Sequence, residues 1–170
     1  MVIVAMDDGV RGALTAAHLN YSGYNHAAAR MLDFVTWFAR ATGEHLIVGL
    51  GLDIAEIDRI EAALTRHGAS ILERLYTPRE VAYCESYRHK FERYAGRFAA
   101  KEAAMKALGT GWRLGVRWRD IEVVREPSGK PTLHLVGAAR QFAERLGVKN
   151  ISLTITHSGN LALAEVIFES

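Results

Sequence analysis

Apolar positions recur with a helical period in residues 97–111, RFAAKEAAMKALGTG, and this stretch gives the strongest single prediction of structure. Charged and apolar residues fall on two adjoining helix faces: Phe98, Glu102, Met105 and Lys106 on one, and Arg97, Lys101 and Ala104 on the other. Alanines flank both faces, so another element or a ligand can approach the helix closely. The Gly-Thr-Gly sequence at 109–111 predicts the end of the helix.

A short run of Ile, Val and Leu at Ile47–Ile54 predicts a buried strand. Its two glycines, Gly49 and Gly51, indicate that another element packs closely against the strand. Asp53 stands where this strand should leave the core. The Gly-x-Gly spacing does not indicate a dinucleotide site, because that motif needs a third glycine opening a helix.

Between these two stretches the pattern predicts shorter helices. A stripe after Asp53 ends near Gly68 and consists of Ile57, Ile60, Ala63 and Leu64. Thr77-Pro78-Arg79-Glu80 is typical of a helix N-terminus, with a capping threonine, a proline in the first turn and an early acid. Residues 70–87 are therefore predicted to form two short helices, and residues 89–93 a polar link.

The last third of the chain alternates with the period of strands. Ile121–Arg125 and Thr132–Val136 flank the turn 127–131, PSGKP, which predicts a hairpin with Lys130 at its tip. A helix over 138–146 precedes strands at 151–158 and 161–169, which flank a second turn. We therefore predict an α+β domain with a mostly antiparallel sheet of hairpins packed against helices.

Residues 1–46 do not share these patterns and are interpreted as an N-terminal extension to a domain at 47–170. Asn25 is a candidate cap for a helix whose apolar stripe ends at Gly43. His18, His26 and His45 have no metal-ligand spacing. The extension is predicted to be partly helical, and its sequence indicates no catalytic role.

Composition narrows the class of protein. Of 170 residues, 49% are apolar, and the net charge of +2 does not indicate a nucleic-acid partner. The single cysteine, Cys84, is compatible with a reducing compartment. No stretch approaches the about 18 uninterrupted apolar residues of a membrane span. We expect a soluble, cytoplasmic protein that does not bind membranes.

Three residues at the ends or faces of different elements are candidates for one site: Asp53, Glu102 and His157. Two carboxylates from separate elements suit Mg²⁺, which binds substrate phosphates and keeps several waters. The cations that would surround a pyrophosphate are Arg97, Lys101, Lys106 and Lys130. The i, i+4 spacing of Glu102 and Lys106 also fits an ordinary exposed ion pair, so the pattern alone leaves both interpretations open.

Four segments in order resemble one family: GLGLDIAEIDRI, RFAAKEAAMKALGTG, DIEVVREPSGKP and SLTITHSGNLALAEVIFE. They are similar to holo-(acyl-carrier-protein) synthases, the short bacterial 4′-phosphopantetheinyl transferases, over Ile47 to Ser170. The resemblance implies the 4′-phosphopantetheinyl transferase fold and a Mg²⁺-dependent transfer of phosphopantetheine from coenzyme A to a serine of apo acyl carrier protein. The other product would be adenosine 3′,5′-bisphosphate.

The resemblance also implies roles for individual residues. Asp53 and Glu102 match the metal ligands. Glu102, directly or through a water, is a candidate base for the serine proton, and Lys106 is a candidate to stabilise charge on phosphate. The implied coenzyme A contacts are Arg97, Lys101, Gly129, Lys130, Pro131 and His157. Arg59 and Arg66 match a carrier-docking surface, and the family's assembly implies a homotrimer with active sites between subunits.

Two other classes of function fit the sequence less well. A catalytically silent binding module would have lost the carboxylates, yet Asp53, Glu102 and Lys106 are all present. An RNA-binding α+β domain would expose aromatic residues on its strands, whereas Ile121–Arg125 and Thr132–Val136 contain no Phe, Tyr or Trp. Fatty-acid biosynthesis is the expected context, although a polyketide carrier fits the sequence equally well.

Overall fold

The computed structural model describes residues 46–111 and 114–170. The predicted extension before Leu46, its helix after Asn25 and its three histidines lie outside the described residues. The described elements, in chain order, are β1 (Ile47–Glu56), α1 (Ile57–Leu75), α2 (Pro78–Glu85), α3 (Lys90–Ala107), a 3₁₀ turn (Trp118–Asp120), β2 (Ile121–Arg125), β3 (Pro131–Leu135), α4 (Gly137–Arg145), β4 (Asn150–Ser158) and β5 (Leu161–Glu169).

The strands form two antiparallel sheets. The larger has the order β1-β5-β4, so the first described strand pairs with the last: Ile47 lies opposite Glu169 and Asp53 opposite Ala164. The smaller is the hairpin of β2 and β3, in which Arg125 lies opposite Pro131. Every described strand pair is antiparallel, which confirms the predicted α+β class. None of the helices in the described ranges is both long and apolar enough to cross a bilayer.

The close approach predicted from Gly49 and Gly51 is confirmed, and the neighbouring element is α3. A Cβ atom built on Gly51 would overlap the carbonyl oxygen of Ala103, and one built on Gly49 would overlap that of Ala107. Ala103 and Ala107 are buried. Backbone thus packs on backbone, which brings Asp53 of β1 alongside the charged face of α3.

The prediction that β1 is a buried strand is wrong for one of its faces. Leu50, Leu52 and Ile54 are 58%, 47% and 52% exposed. The inner face carries the glycines that admit α3, so the large side chains point to the opposite side of the sheet, where no other described element covers them. β1 is an edge strand whose outer face is apolar.

The two helix boundaries predicted from glycine and threonine are both present. Gly68, with φ of 52° and ψ of −131°, interrupts α1. Thr77 caps α2: its hydroxyl accepts from the Glu80 amide while Glu80 accepts from the Thr77 amide. The predicted polar link at 89–93 is wrong, since α3 begins at Lys90. Its first turn is helical because Phe91 packs against the core.

Candidate functional site

The first group of predicted site residues meets where β1 crosses α3. The Lys106 ammonium donates to Oδ1 of Asp53 at 2.8 Å and to the carbonyl oxygen of Leu52 at 2.9 Å. Glu102 lies one helical turn before Lys106 on the same face of α3. The structure therefore brings together Asp53, Glu102 and Lys106, three residues that the sequence predicted to share a site.

Glu102 lies in a half-buried environment next to another carboxylate. Burial raises its pKa above the ordinary value, the negative charge of Asp53 raises it further, and Lys106 partly opposes both effects. Two carboxylates thus share a partly desolvated space with one ammonium group. Such an arrangement is stabilised by additional positive charge.

The donor set of this carboxylate pair fits Mg²⁺. Within the described ranges, no group of three or more His, Cys, Asp or Glu side chains is arranged to hold a metal ion. A cation between Asp53 and Glu102 would therefore have two protein ligands, and water or substrate oxygens would complete its coordination. Mg²⁺ commonly binds in this way, because it loses its waters reluctantly and prefers phosphate oxygens.

His157 does not join the carboxylate pair. It lies on β4, whereas Asp53 lies on β1, and β5 separates the two strands. Neighbouring strands are about 4.8 Å apart, so two strand spacings separate β1 from β4 by roughly 10 Å, and His157 is level with Ala55 rather than with Asp53. His157 instead lies beside Gly96 of α3, and its Nε2 is 3.0 Å from the carbonyl oxygen of Glu92.

His157 lines a second site, which we call the basic pocket. This cavity of about 150 Å³ lies between α2, α3 and the strands, and its polar and cationic lining consists of Tyr83, Arg93, Arg97, Arg125 and His157, with Pro131 at one side. No described residue that lines it is acidic. Three of the predicted coenzyme A contacts, Arg97, Pro131 and His157, thus share one cavity.

The arginines of the basic pocket are poorly neutralised by the protein. Arg97 is only 6% exposed. The Nε atoms of Arg93 and Arg97 are buried, and neither has a hydrogen-bond partner within the described part of the chain. A buried cation without a partner is costly. The pocket is therefore suited to an anion, and phosphate pairs well with guanidinium groups.

Three of the polar and cationic residues that line this pocket were not identified from the sequence: Tyr83, Arg93 and Arg125. Arg93 could have been predicted, because it precedes Arg97 by one helical turn and so lies on the same face of the helix. Arg125 lies opposite Pro131 in the hairpin, and it ends the strand that was predicted to lead into the turn containing Pro131. Tyr83 lies on α2, and no local pattern links it to the others.

Lys101 does not take the place that the sequence suggested. Its side chain is fully buried and forms an ion pair of 2.8 Å with Glu80, which is also fully buried. Its ammonium also donates to the carbonyl oxygens of Trp118 and Ile121. These three partners use all three N–H groups. The structure therefore argues against a direct contact between Lys101 and coenzyme A, and assigns the residue to the core.

The predicted contacts at the hairpin turn are only partly at the basic pocket. Gly129 has φ of 88°, which lets the turn close, and the Glu126 amide donates to the Lys130 carbonyl at 2.9 Å. Pro131 lines the pocket, whereas the side chain of Lys130 is exposed at the tip. Lys130 is free to meet a ligand that extends past Pro131.

The predicted docking arginines lie on α1 before its interruption at Gly68. Arg59 and Arg66 are exposed, and their spacing of seven residues puts them on one helix face. Arg59 also borders an apolar cavity of about 270 Å³ lined by residues such as Ile60, Leu64 and Phe98. This surface combines positive charge with an apolar depression.

Comparison with known proteins gives consistent matches over this part of the chain. The family profile described as the 4′-phosphopantetheinyl transferase superfamily matches residues 49–164. A protein of Solibacter usitatus named holo-(acyl-carrier-protein) synthase is 58% identical over 125 residues, which cover 74% of this chain and 100% of that protein.

Two crystal structures with similar folds carry the same name. The structure of holo-(acyl-carrier-protein) synthase from Neisseria meningitidis has a TM-score of 0.68 and 33% identity, covering 74% of this chain and 100% of that chain. The structure of the Helicobacter pylori protein in complex with coenzyme A has a TM-score of 0.62 and 31% identity, covering 70% of this chain and 98% of that chain.

Proposed function

The chain belongs to the holo-(acyl-carrier-protein) synthase family of 4′-phosphopantetheinyl transferases, and we propose that its reaction is Mg²⁺-dependent and releases adenosine 3′,5′-bisphosphate. The acceptor is a serine of an apo acyl carrier protein, from a fatty-acid or a polyketide system. The observation that carries this proposal is the group formed by Asp53, Glu102 and Lys106, in which Lys106 and Asp53 are 2.8 Å apart. Fatty-acid biosynthesis in the cytoplasm remains the expected context.

The bonds exchanged in this reaction define what the site must do. The serine oxygen attacks the β-phosphorus of coenzyme A and loses its proton, and the bond from that phosphorus to the bridging oxygen breaks. Glu102 is the proposed acceptor of the proton, directly or through a water, because its carboxylate lies in the same group as Asp53 and Lys106. Lys106, whose side chain is 49% exposed, can reach negative charge that develops on the leaving phosphate.

Asp53 and Glu102 would hold the metal ion. When bound, Mg²⁺ neutralises the pyrophosphate and polarises its phosphorus. The close packing of Gly49 and Gly51 against α3 supports this assignment, because it keeps the strand that carries Asp53 at a fixed distance from the helix that carries Glu102.

The basic pocket is the proposed site for a phosphate group of coenzyme A. Arg97 and His157 would bind it, as expected from the resemblance, and Arg93 and Arg125 add positive charge at the same place. The unpartnered Nε atoms of Arg93 and Arg97 support this proposal, because a phosphate oxygen would satisfy donors that the described protein leaves free. Gly129 and Lys130 would contact the part of the molecule that passes the hairpin turn.

Arg59 and Arg66 are proposed to dock the carrier protein. An amphipathic acidic helix would place carboxylates near these two exposed arginines and an apolar side chain in the cavity beside Arg59. The surface is next to β1, so the proposed docking helix would present its serine near Asp53.

A homotrimer with active sites between subunits is part of the same proposal. Its support is the outer face of the larger sheet, which no other described element covers and where Leu50, Leu52 and Ile54 of β1 are about half exposed. Opposite them on β5 lie Ile167, Glu165 and Leu163. An exposed apolar strip of this kind commonly marks an association surface.

Residues 47–170 are proposed to carry the whole activity, with residues 1–46 dispensable for it. The Solibacter protein supports this division, because all of it is covered by 74% of the present chain. A chain that starts at residue 47 should retain turnover within a few-fold of the full chain. A collapse of activity in the shortened chain would instead show that the extension belongs to the catalytic unit.

Intact-mass spectrometry of an apo acyl carrier protein tests the reaction directly. Incubation with the full chain, coenzyme A and Mg²⁺ should add about 340 Da to the carrier, and EDTA should prevent the gain. Asp53→Asn and Glu102→Gln should abolish the gain at unchanged thermal stability. Glu144→Gln, which removes an exposed carboxylate on α4, is the matched control and should behave like the parent protein.

Two outcomes would count against specific parts of this proposal. A full mass gain in EDTA would remove the metal requirement, and full activity of Asp53→Asn would remove the ligand assignment. Docking is tested separately by Arg59→Glu, which should raise KM for the carrier more than KM for coenzyme A. Lys149→Glu makes the same change of charge at an exposed position before β4 and should leave both constants unchanged.

A further inference from the structure

Two tyrosines on α2 and just after it contact the arginines of the basic pocket. The guanidinium carbon of Arg97 lies 3.8 Å from the centroid of the Tyr83 ring, and that of Arg125 lies 5.8 Å from the same ring. Arg93 lies 4.9 Å from the ring of Tyr87, which packs 4.8 Å from Tyr83. Tyr83 is therefore the side chain that two of the three guanidinium groups share.

The orientation of Arg97 depends on this contact because its hydrogen bonds are few. Its Nη1 donates to the Arg93 carbonyl at 3.4 Å, a long distance for such a bond, and its Nε is buried without a partner in the described part of the chain. The described lining of the pocket contains no carboxylate. The face of the Tyr83 ring thus provides negative potential directly beside the Arg97 guanidinium.

We propose that Tyr83 is a positioning residue for coenzyme A binding: its ring holds the Arg97 guanidinium in the orientation that binds phosphate. This inference rests on the proposed assignment of the basic pocket to a phosphate of coenzyme A. Tyr83 itself need not contact the ligand. Its contribution is to fix a cation that repels Arg93 and Arg125 and would otherwise occupy several rotamers.

The ionisation of the tyrosine agrees with this geometry. Partial burial acts to raise the pKa of Tyr83, but hydrogen bonding with Tyr87 and the nearby guanidinium groups of Arg97 and Arg125 outweigh burial and lower it. The phenol is therefore surrounded by positive charge, as expected for a residue packed inside the arginine cluster.

The test measures steady-state constants for the full chain with coenzyme A and apo carrier. Tyr83→Leu should raise KM for coenzyme A about five- to thirty-fold, the range expected for loss of a partly desolvated cation–π contact. Its kcat and its KM for the carrier should stay within about two-fold. Tyr83→Phe keeps the ring and should raise KM for coenzyme A clearly less than Tyr83→Leu does, and Tyr83→Met is a second ring-free variant of similar size.

The matched control is Phe142→Leu. It removes an arginine–aromatic contact of similar geometry, with Arg145 4.1 Å from the Phe142 ring on α4, outside the basic pocket. KM for coenzyme A should not change in this variant. Thermal unfolding of each variant separates loss of binding from loss of fold.

A double-mutant cycle with Arg97→Ala makes the inference specific. If Tyr83 acts through Arg97, Tyr83→Leu should change KM for coenzyme A less than about two-fold in the Arg97→Ala background. Independent, multiplicative effects would overturn the positioning role. Suppose instead that Arg97→Ala raises KM for coenzyme A, whereas Tyr83→Leu and Tyr83→Met leave it unchanged. That result would overturn the inference about Tyr83 and leave the pocket assignment intact. An unchanged KM in Arg97→Ala would overturn the pocket assignment itself.

Discussion

Substitution of Gly51 by alanine tests how the catalytic geometry is held. A Cβ atom at this position would overlap the Ala103 carbonyl oxygen, and it would lie 2.8 Å from both the carbonyl carbon of Ala103 and the amide nitrogen of Ala107. These neighbours are backbone atoms of α3, so they cannot rotate away. Non-bonded carbon atoms prefer about 3.5–4.0 Å, and β1 would have to move from α3 by roughly 1 Å.

Both stability and activity should respond to this displacement. Overpacking in a well-packed core costs about 1–3 kcal/mol, and we expect about 3 kcal/mol here because the clash involves two main chains. The same shift would separate Asp53 from Lys106, which are now 2.8 Å apart, and from Glu102. A misplacement of about 1 Å in a catalytic group can reduce turnover about 100-fold.

Urea unfolding and the carrier-modification assay measure the two effects. Gly147→Ala is the control, because Gly147 has φ of 74° and its Cβ would lie no closer than 4.0 Å to its nearest neighbour. This variant should lose about 1 kcal/mol through backbone strain alone and keep its turnover. If Gly51→Ala unfolds with the free energy of the parent protein and turns over normally, the close approach does not set the site. If it loses stability but not turnover, packing and catalysis are independent.

Three further predictions concern other described residues. In metal-free protein, Asp53→Asn should lower the pKa of Glu102, measured by NMR titration, because it removes a like charge. The pKa should fall only part of the way to its ordinary value, since burial is the larger cause of the shift. An unchanged pKa would contradict the pairing of the two carboxylates. Cys84 is fully buried, and burial raises the pKa of its thiol to about 12. Alkylating reagents should therefore not react with this thiol at pH 8 until the protein is denatured. Rapid modification of the native protein would contradict its burial. Lys101→Met should reduce the free energy of unfolding by about 3–5 kcal/mol, because it leaves Glu80 buried without a counter-ion. Adding Glu80→Gln to this variant should recover part of the loss. Equal stability of the single and double variants would refute the role given to the unpaired carboxylate.

Features set by neighbouring residues were predictable from the sequence. The capping pair of Thr77 and Glu80, the break at Gly68 and the turn at Gly129 depend on interactions within a few residues. The close approach of β1 and α3 was also predictable, because glycine inside an apolar strand commonly marks a place where another backbone comes near. The family motifs then joined Asp53, Glu102 and Lys106, which lie far apart in the chain.

Features set by residues distant in the chain were not predictable in the same way. The partner that buries Lys101 is Glu80 on another helix, and no periodicity in α3 distinguishes a buried lysine from an exposed one. The separation of His157 from Asp53 follows from the strand order, in which β5 lies between their strands. The exposure of Leu50 was not predictable either, because an apolar run does not reveal which face of a strand another element will cover.

The pairing of β1 with β5 has a consequence for synthesis of the chain. Ile47 pairs with Glu169, and the amide of Ser170 donates to the carbonyl of Leu46. The strand that carries Asp53 therefore cannot complete its sheet until β5 has been synthesised. Contacts of such long sequence separation form slowly, so nascent chains can expose the apolar strand β1 until β5 is available to pair with it. Loss of β5 would leave Asp53 without its neighbour in the sheet, Ala164.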